Sequence, residues 1–326
     1  MKKLIENFSA QLNEAFDIAN KAVLHPKNDI QNIVITGLGG SGIGGTIVNE
    51  LVNDSCKIPV LINKDYFLPA FVNAKTLVII SSYSGNTEET LQAMQEALNK
   101  KAQIVCITSG GKVEELAIAN KLDVIKIPGG NPPRSCIGYS LVQLIKVFSF
   151  YGFAPISLLN DVEKSIALLN NESEKIKTEA YIVAKKLLNK ISIIYSLGSC
   201  EGVSVRFRQQ INENSKMLCW HNVLPEMNHN ELVGWTTKND HLAVITFKTS
   251  YDYARIQKRY EVCRPIFEKY CSSVTDITAN GNSKLEQYFY LIHLGDWISI
   301  YLAELKNIDP VEVNVIDHLK KELSKF

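Results

Sequence analysis

Four short runs in the first third of the chain are apolar almost without interruption: Ile33-Val34-Ile35-Thr36, Pro59-Val60-Leu61-Ile62, Leu77-Val78-Ile79-Ile80 and Ile104-Val105-Cys106-Ile107. Such runs are too short for core helices, and their lack of polar alternation implies strands covered on both faces. Helix-length segments separate them. This alternation predicts a parallel sheet flanked by helices, a doubly wound α/β fold. The plan recurs later. Asn32 to Ser41 resembles Ser192 to Ser199, each a strand followed by Leu-Gly and a helix, and Leu242-Ala243-Val244-Ile245-Thr246-Phe247 stands where Leu77 to Ile80 stood. We therefore expect two similarly folded subdomains, residues 1–155 and 156–326. The mix of Glu, Lys, Asn and Leu around Leu158 to Lys190 suits a long amphipathic helix joining them.

The third run leads into Ser82-Tyr83-Ser84-Gly85-Asn86-Thr87, and then into Glu88-Glu89-Thr90-Leu91, which reads as a helix start. A strand that ends in hydroxyls and a glycine and then opens a helix is an anion site, because free N–H groups and the helix dipole favour a phosphate there. Gly85 permits positive φ and close backbone approach. A capped turn with surface hydroxyls is the plainer alternative, but three hydroxyls at this spacing exceed what a cap needs. No Gly-Lys-Ser/Thr signature accompanies the loop, which argues against a nucleoside triphosphate. Gly37-Leu38-Gly39-Gly40-Ser41-Gly42 fits G-x-G-x-x-G, and Asp65 lies near the position of a ribose-binding carboxylate. A dehydrogenase would have no need of the hydroxyl loop. We read Gly39-Gly40-Ser41 instead as bringing backbone N–H groups and one hydroxyl to a sugar or its phosphate.

The formal net charge of +1 gives no field that would steer the chain to nucleic acid or a membrane surface. No window approaches the roughly 18 unbroken apolar residues of a membrane span. The seven cysteines include no Cys-x-x-Cys pair, which fits reduced thiols and a cytoplasmic setting. The six histidines (25, 221, 229, 241, 293 and 318) form no His-x-x-x-His pair, so neither a metal site nor a cofactor is expected.

Three further segments concentrate polar residues. Prolines fix the loop Gly129 to Tyr139, which presents Arg134 just before a helix and so aims a guanidinium at something anionic. In Arg206 to Lys216, helical spacing puts Arg206, Gln209, Gln210 and Glu213 on one face, which would ordinarily be a solvated face. In Leu224 to Trp235, His229 lies between two asparagines with Glu231 beyond, the setting of an oriented imidazole.

On these pieces the chain resembles the bifunctional phosphoglucose/phosphomannose isomerase family, built from two sugar isomerase (SIS) domains. The matching segments are Gly39 to Gly42, Ser82 to Glu88, Pro133-Arg134, Gly138-Tyr139, Glu213-Asn214, Pro225-Glu226, His229 to Glu231, Asp309-Pro310 and Ile316 to Lys320. They run in order from near residue 37 to the end of the chain. The resemblance implies an N-terminal SIS domain with the phosphate loop and a C-terminal one with the catalytic Glu and His. It implies interconversion of glucose 6-phosphate, and of mannose 6-phosphate, with fructose 6-phosphate through a cis-enediol, without a metal. Gly40, Ser41, Ser82, Ser84 and Thr87 would hold phosphate and sugar, and Glu213 would move the proton between C1 and C2. Arg134 would stabilise the enediolate, His229 would open the ring, and Lys320 would assist near the sugar. A homodimer in which His229 is borrowed from the neighbouring subunit is also implied. The alternative is a non-catalytic phosphosugar-binding regulatory protein, which would need neither Glu213 nor His229 and would ordinarily carry an output domain.

Overall fold

The computed structural model describes residues 1–325; Phe326, the last residue assigned to the second subdomain, lies outside the described residues. Among the described residues nine strands form two sheets. The first comprises β1 (Asn32–Thr36), β2 (Val60–Asn63), β3 (Thr76–Ser82), β4 (Gln103–Thr108) and β5 (Asp123–Lys126), in the order β2-β1-β3-β4-β5. The second comprises β6 (Ile191–Ser196), β7 (Cys219–Val223), β8 (Leu242–Lys248) and β9 (Ser273–Thr278), in the order β7-β6-β8-β9. Every pairing is parallel. This is the doubly wound plan expected, twice over.

The helices of the first half are α1 (Lys2–Glu6), α2 (Phe8–Lys21), α3 (Gly39–Val52), α4 (Glu88–Asn99), α5 (Gly111–Ala119) and α6 (Ile137–Phe150). Then come α7 (Ser157–Asn171), α8 (Ser173–Leu187), α9 (Glu201–Ser215), α10 (Ala254–Tyr270), α11 (Lys284–Leu305) and α12 (Asn314–Leu323). The expected single linker helix is two, broken at Glu172. The break falls beside Asn170-Asn171, poor helix formers. It lets α7 bury Leu158, Leu159, Val162 and Leu169 and α8 bury Ile176, Ala180, Val183 and Leu187, and both pack on α11.

Successive strand residues point to opposite faces, and the core divides accordingly. Ile33, Ile35, Leu77 and Ile79 of the first sheet, and Ile194 and Ile245 of the second, share one large cluster that fills the space between the sheets. Val34, Val78 and Ile80 pack outward under α4 and α5. Ile193, Tyr195 and Val244 do the same under α10. The helices α3 and α9 meet across the central layer. The 22-residue α11, started by a Ser283/Glu286 capping box, runs through it almost wholly buried. Among the described residues no helix is long and apolar enough to cross a membrane.

Candidate active site

In an open parallel sheet the crevice for a ligand lies beyond the carboxyl ends of the strands where the strand order reverses. In the first sheet that point falls between β1 and β3. The two loops leaving it are the glycine turn into α3 and the hydroxyl loop into α4. They are joined directly, since the Tyr83 N–H donates to Ser41 Oγ at 3.0 Å. Within the hydroxyl loop, Ser82 Oγ donates to Thr87 Oγ1 at 3.3 Å and the Asn86 N–H donates to Ser84 Oγ at 3.2 Å. Ser84 is exposed and Thr87 half-buried, whereas Ser41 and Ser82 are buried. Gly85 has φ +66°, and a Cβ there would stand 1.7 Å from the Gly110 carbonyl oxygen. No other residue allows this turn to close onto the next one.

The arginine turn abuts the same place. A Cβ on Gly40 would meet the Pro133 carbonyl oxygen at 3.0 Å, so the start of α3 lies directly against the 3-10 turn Pro133–Ser135. The Asn131 N–H donates to Tyr83 Oη at 3.1 Å, tying this turn to the hydroxyl loop as well. Arg134 is buried rather than loosely presented. Its Nε donates to Asn214 Oδ1 (2.8 Å), Nη1 to Glu213 Oε2 (3.3 Å), and Nη2 to the carbonyls of Pro310 (2.6 Å) and Val311 (3.1 Å). A guanidinium has five N–H groups, so these four bonds leave one, on Nη1, beside Glu213. The Glu213 side chain is 29% exposed, so its carboxylate lies at the edge of the junction with one side open.

The face of α9 that ordinary helix logic would leave in water is buried at Arg206 and Gln210 and half-buried at Gln209 and Glu213. Arg206 Nη2 donates to Asp296 Oδ2 (2.7 Å) and Oδ1 (3.0 Å), and to the Arg134 carbonyl (3.1 Å). Gln210 Nε2 donates to Asp296 Oδ1 at 2.7 Å. Burial pushes the Asp296 carboxyl up, against the pull of Arg206. Asn214 Nδ2 donates to Ser299 Oγ at 3.0 Å. Asn214, backed by Ser299, and Arg206, backed by Asp296, thus hold Arg134 from behind; sequence reasoning missed Asp296 and Ser299 and gave Asn214 no role. A signal was present: Asp296 is the lone acid in the apolar run Leu291 to Leu302, and an unpaired charge there would be prohibitive.

His229 and Lys320 are not brought to this cluster within one chain. His229 lies in the 3-10 turn Glu226–His229, exposed, and among the described residues its ring has no hydrogen-bond partner. The next turn, Glu231–Gly234, is well held. The Glu231 carboxylate accepts from Tyr195 Oη (2.5 Å), Trp220 Nε1 (3.1 Å) and Asn222 Nδ2 (2.7 Å). Lys320 lies on α12, none of whose side chains is buried. The strand of chain leading into α12 is tethered to the site, because Pro310 and Val311 accept from Arg134 and the Glu312 carbonyl accepts from Lys216 Nζ at 2.7 Å. Asp65, the residue that kept a dinucleotide reading open, lies beyond the end of β2 and accepts from the Tyr66 N–H. Among the described residues no three His, Cys, Asp or Glu side chains gather as metal ligands would.

Residues 28–125 match the model of the SIS domain, and residues 176–323 that of the bacterial phospho-glucose isomerase C-terminal SIS domain. The chain is 41% identical to a bifunctional phosphoglucose/phosphomannose isomerase of Caldicellulosiruptor bescii, covering 100% of this chain and 99% of that one. It is 39% identical to the protein of that name from Thermoplasma acidophilum, covering 90% of each. Among solved structures, the C-terminal domain of glucosamine-fructose-6-phosphate aminotransferase from Francisella tularensis superimposes with a TM-score of 0.76 at 12% identity, covering 96% of this chain and 98% of that one, a likeness of fold.

Proposed function

This chain belongs to the bifunctional phosphoglucose/phosphomannose isomerase family, and from that premise we propose that it interconverts fructose 6-phosphate with glucose 6-phosphate and with mannose 6-phosphate. The observation that carries the reading is the Arg134–Glu213 pair, 3.3 Å apart at the junction of the two halves and continuous through Gly40 and Ser41 with the hydroxyl loop. Ser41, Ser82, Ser84 and Thr87, with the N–H groups at the starts of α3 and α4, hold the phosphate. Binding energy gained there, remote from the reacting carbons, supports catalysis at C1 and C2.

Glu213 takes the proton from C2 of the open-chain aldose. The C–H electron pair forms the C1–C2 double bond, and the carbonyl π electrons move onto O1. The free Arg134 N–H faces the enediolate oxygen in a largely dry setting, where such a donor is worth most. The same carboxylic acid then returns the proton to C1 as the C2=O bond forms, and the O2 proton passes to O1, giving the ketose. In the reverse direction protonation of the planar C2 on either face yields the glucose or the mannose epimer. His229 and Lys320 assist ring opening and sugar positioning, His229 coming from a second copy of the chain. Support for that arrangement lies in the unpartnered His229 ring and in the exposed apolar side chains Leu218, Val233, Val315 and Leu319. A coupled assay of the purified protein with each aldose 6-phosphate, with and without chelator, tests the proposal. Turnover of both, unaffected by chelator, is expected; inertness toward both overturns it.

A further inference from the structure

The two halves repeat one plan down to the length of a loop. The order β2-β1-β3-β4 matches β7-β6-β8-β9. Beyond the second strand of each central pair, residues 83–87 lead to α4 and residues 249–253 lead to α10, five in both cases. The counterpart of the hydroxyl loop is therefore Thr249-Ser250-Tyr251-Asp252-Tyr253. The counterpart of Leu38-Gly39-Gly40 is Leu197-Gly198-Ser199, with Gly198 at φ +91° and Gly39 at φ +53°. Asp252 takes the place of Asn86.

The contents differ. In the first loop Ser84 and Asn86 face solvent. In the second, Asp252 turns inward and is 6% exposed. Its Oδ1 accepts from Ser199 Oγ at 2.7 Å and from Thr249 Oγ1 at 2.9 Å, and its Oδ2 accepts from the Thr249 N–H at 2.7 Å. Two further loop donors are closed too: the Ser250 N–H donates to Gln287 Oε1 at 2.9 Å and the Tyr251 N–H to Thr249 Oγ1 at 3.2 Å. A hydroxyl from the turn after β6, with a hydroxyl and an N–H from the loop after β8, thus converge at the second switch point on one internal carboxylate. That donor set, just ahead of a 17-residue helix, suits an oxyanion.

We propose that Asp252 fills, from within the chain, an anion site equivalent to the phosphate site of the first half, and that each chain consequently binds a single sugar phosphate. The proposal rests on the reading of the first loop as the phosphate site. Removing the carboxylate leaves the Thr249 N–H without its acceptor and the Ser199 and Thr249 hydroxyls, 3.0 Å apart, with only each other, and a phosphate oxyanion restores the acceptor to all three. The site therefore takes phosphate monoesters or inorganic phosphate once Asp252 is shortened.

The experiment compares wild type, Asp252→Ala and Asp252→Ser by thermal denaturation across an inorganic phosphate titration, and counts glucose 6-phosphate bound to the wild type by equilibrium dialysis. We expect one sugar phosphate per wild-type chain. We expect the Asp252 variants to melt lower without phosphate and to gain, at roughly a hundred times the dissociation constant, about 3–6 °C more than wild type. That extra gain should vanish when Thr249→Val is added. A phosphate response of folded variants no larger than that of wild type overturns the proposal, as do two sugar phosphates per wild-type chain. Should neither variant fold, the wild-type count decides. Failure of the first-loop reading would look different: Ser84→Ala would leave wild-type binding intact while the gain from Asp252→Ala persisted.

Discussion

Replacing Arg134 by lysine keeps the charge and removes the fork. The guanidinium reaches four acceptors on two different elements: Asn214 Oδ1 and Glu213 Oε2 on α9, and the carbonyls of Pro310 and Val311 before α12. An ammonium is one atom and cannot stand within 3 Å of both groups, so at least two charge-assisted bonds are lost. Each is worth about 1.5–3 kcal/mol when its acceptor stays dry. The carbonyls lie in the half-exposed segment around Pro310, where water can replace the donor, so the net cost falls near the low end, about 2–4 kcal/mol. The loss should be local as well as global. In urea the midpoint should fall with an unchanged m-value. Under native conditions the segment from residue 309 onward should become the first site of proteolysis, because its anchor has gone. The turnover number should fall, with phosphate binding retained, because the hydroxyl loop is untouched. A variant with the wild-type midpoint, an unchanged cleavage pattern and full turnover would show that Arg134 neither tethers the tail nor serves the reaction.

Three other outcomes are expected. Glu213→Gln keeps the shape beside Arg134 but cannot accept the C2 proton, so turnover and solvent exchange at C2 should fall together by about 10² to 10⁴-fold; wild-type exchange would place the base elsewhere, and Glu231, saturated by Tyr195, Trp220 and Asn222, is no substitute. Ser84→Ala and Thr87→Ala should each weaken binding of a sugar phosphate inhibitor by about tenfold to a hundredfold, the worth of a bond to a charged group, and unchanged affinity in both removes the phosphate-loop assignment. Burial pushes the Glu50 carboxyl up to about 7; since the folded state then holds this proton more tightly than the unfolded chain, stability should decline as pH rises from about 4.5 to 7, by roughly 3 kcal/mol in all, and Glu50→Gln should flatten that decline in urea titrations, an unaltered slope counting against it.

The sequence was legible where the chain is apolar and local. The central strands β1, β3, β4, β6 and β8 are largely buried on both faces and read as mainly apolar runs, β6 with a serine at position 192. Of the outer strands only β2 did, as Val60-Leu61-Ile62, and it lies at a sheet edge and half-exposed rather than covered on both faces as its apolar run implied; β5, β7 and β9 did not. Cys219-Trp220-His221-Asn222-Val223 and Ser273-Val274-Thr275-Asp276-Ile277-Thr278 lie at sheet edges, where half-exposed positions accept polar residues and the apolar signal thins. In the site, the hydroxyl loop could be read because its chemistry lies in six consecutive residues. The polar support of Arg134 could not, since its partners lie 79 to 177 residues away. Periodicity places Arg206 and Glu213 on one face of a helix, but only packing decides whether that face meets water or Asp296.

Those distant partners explain why the site lies where the halves meet. The helices α3 and α9 run antiparallel, as two contacts show. At one end the start of α3, at Gly40, abuts the Arg134 turn, whose guanidinium holds Asn214 near the end of α9. At the other, Glu50 near the end of α3 accepts from the Gly202 N–H at the start of α9, at 2.7 Å, and a Cβ on Gly202 would come within 2.9 Å of Ile47. The glycine turn, which Ser41 joins to the hydroxyl loop, lies at the start of α3 and Glu213 near the end of α9, so their separation is set by the register of this one helix pair. A slip of a single turn, about 5.4 Å, would carry Glu213 out of reach of Arg134, whose 3.3 Å contact leaves no such slack. The Glu50–Gly202 contact, about three turns from Glu213, opposes that slip, and the close approach at Gly202 lets the two helices pack tightly enough for it to act.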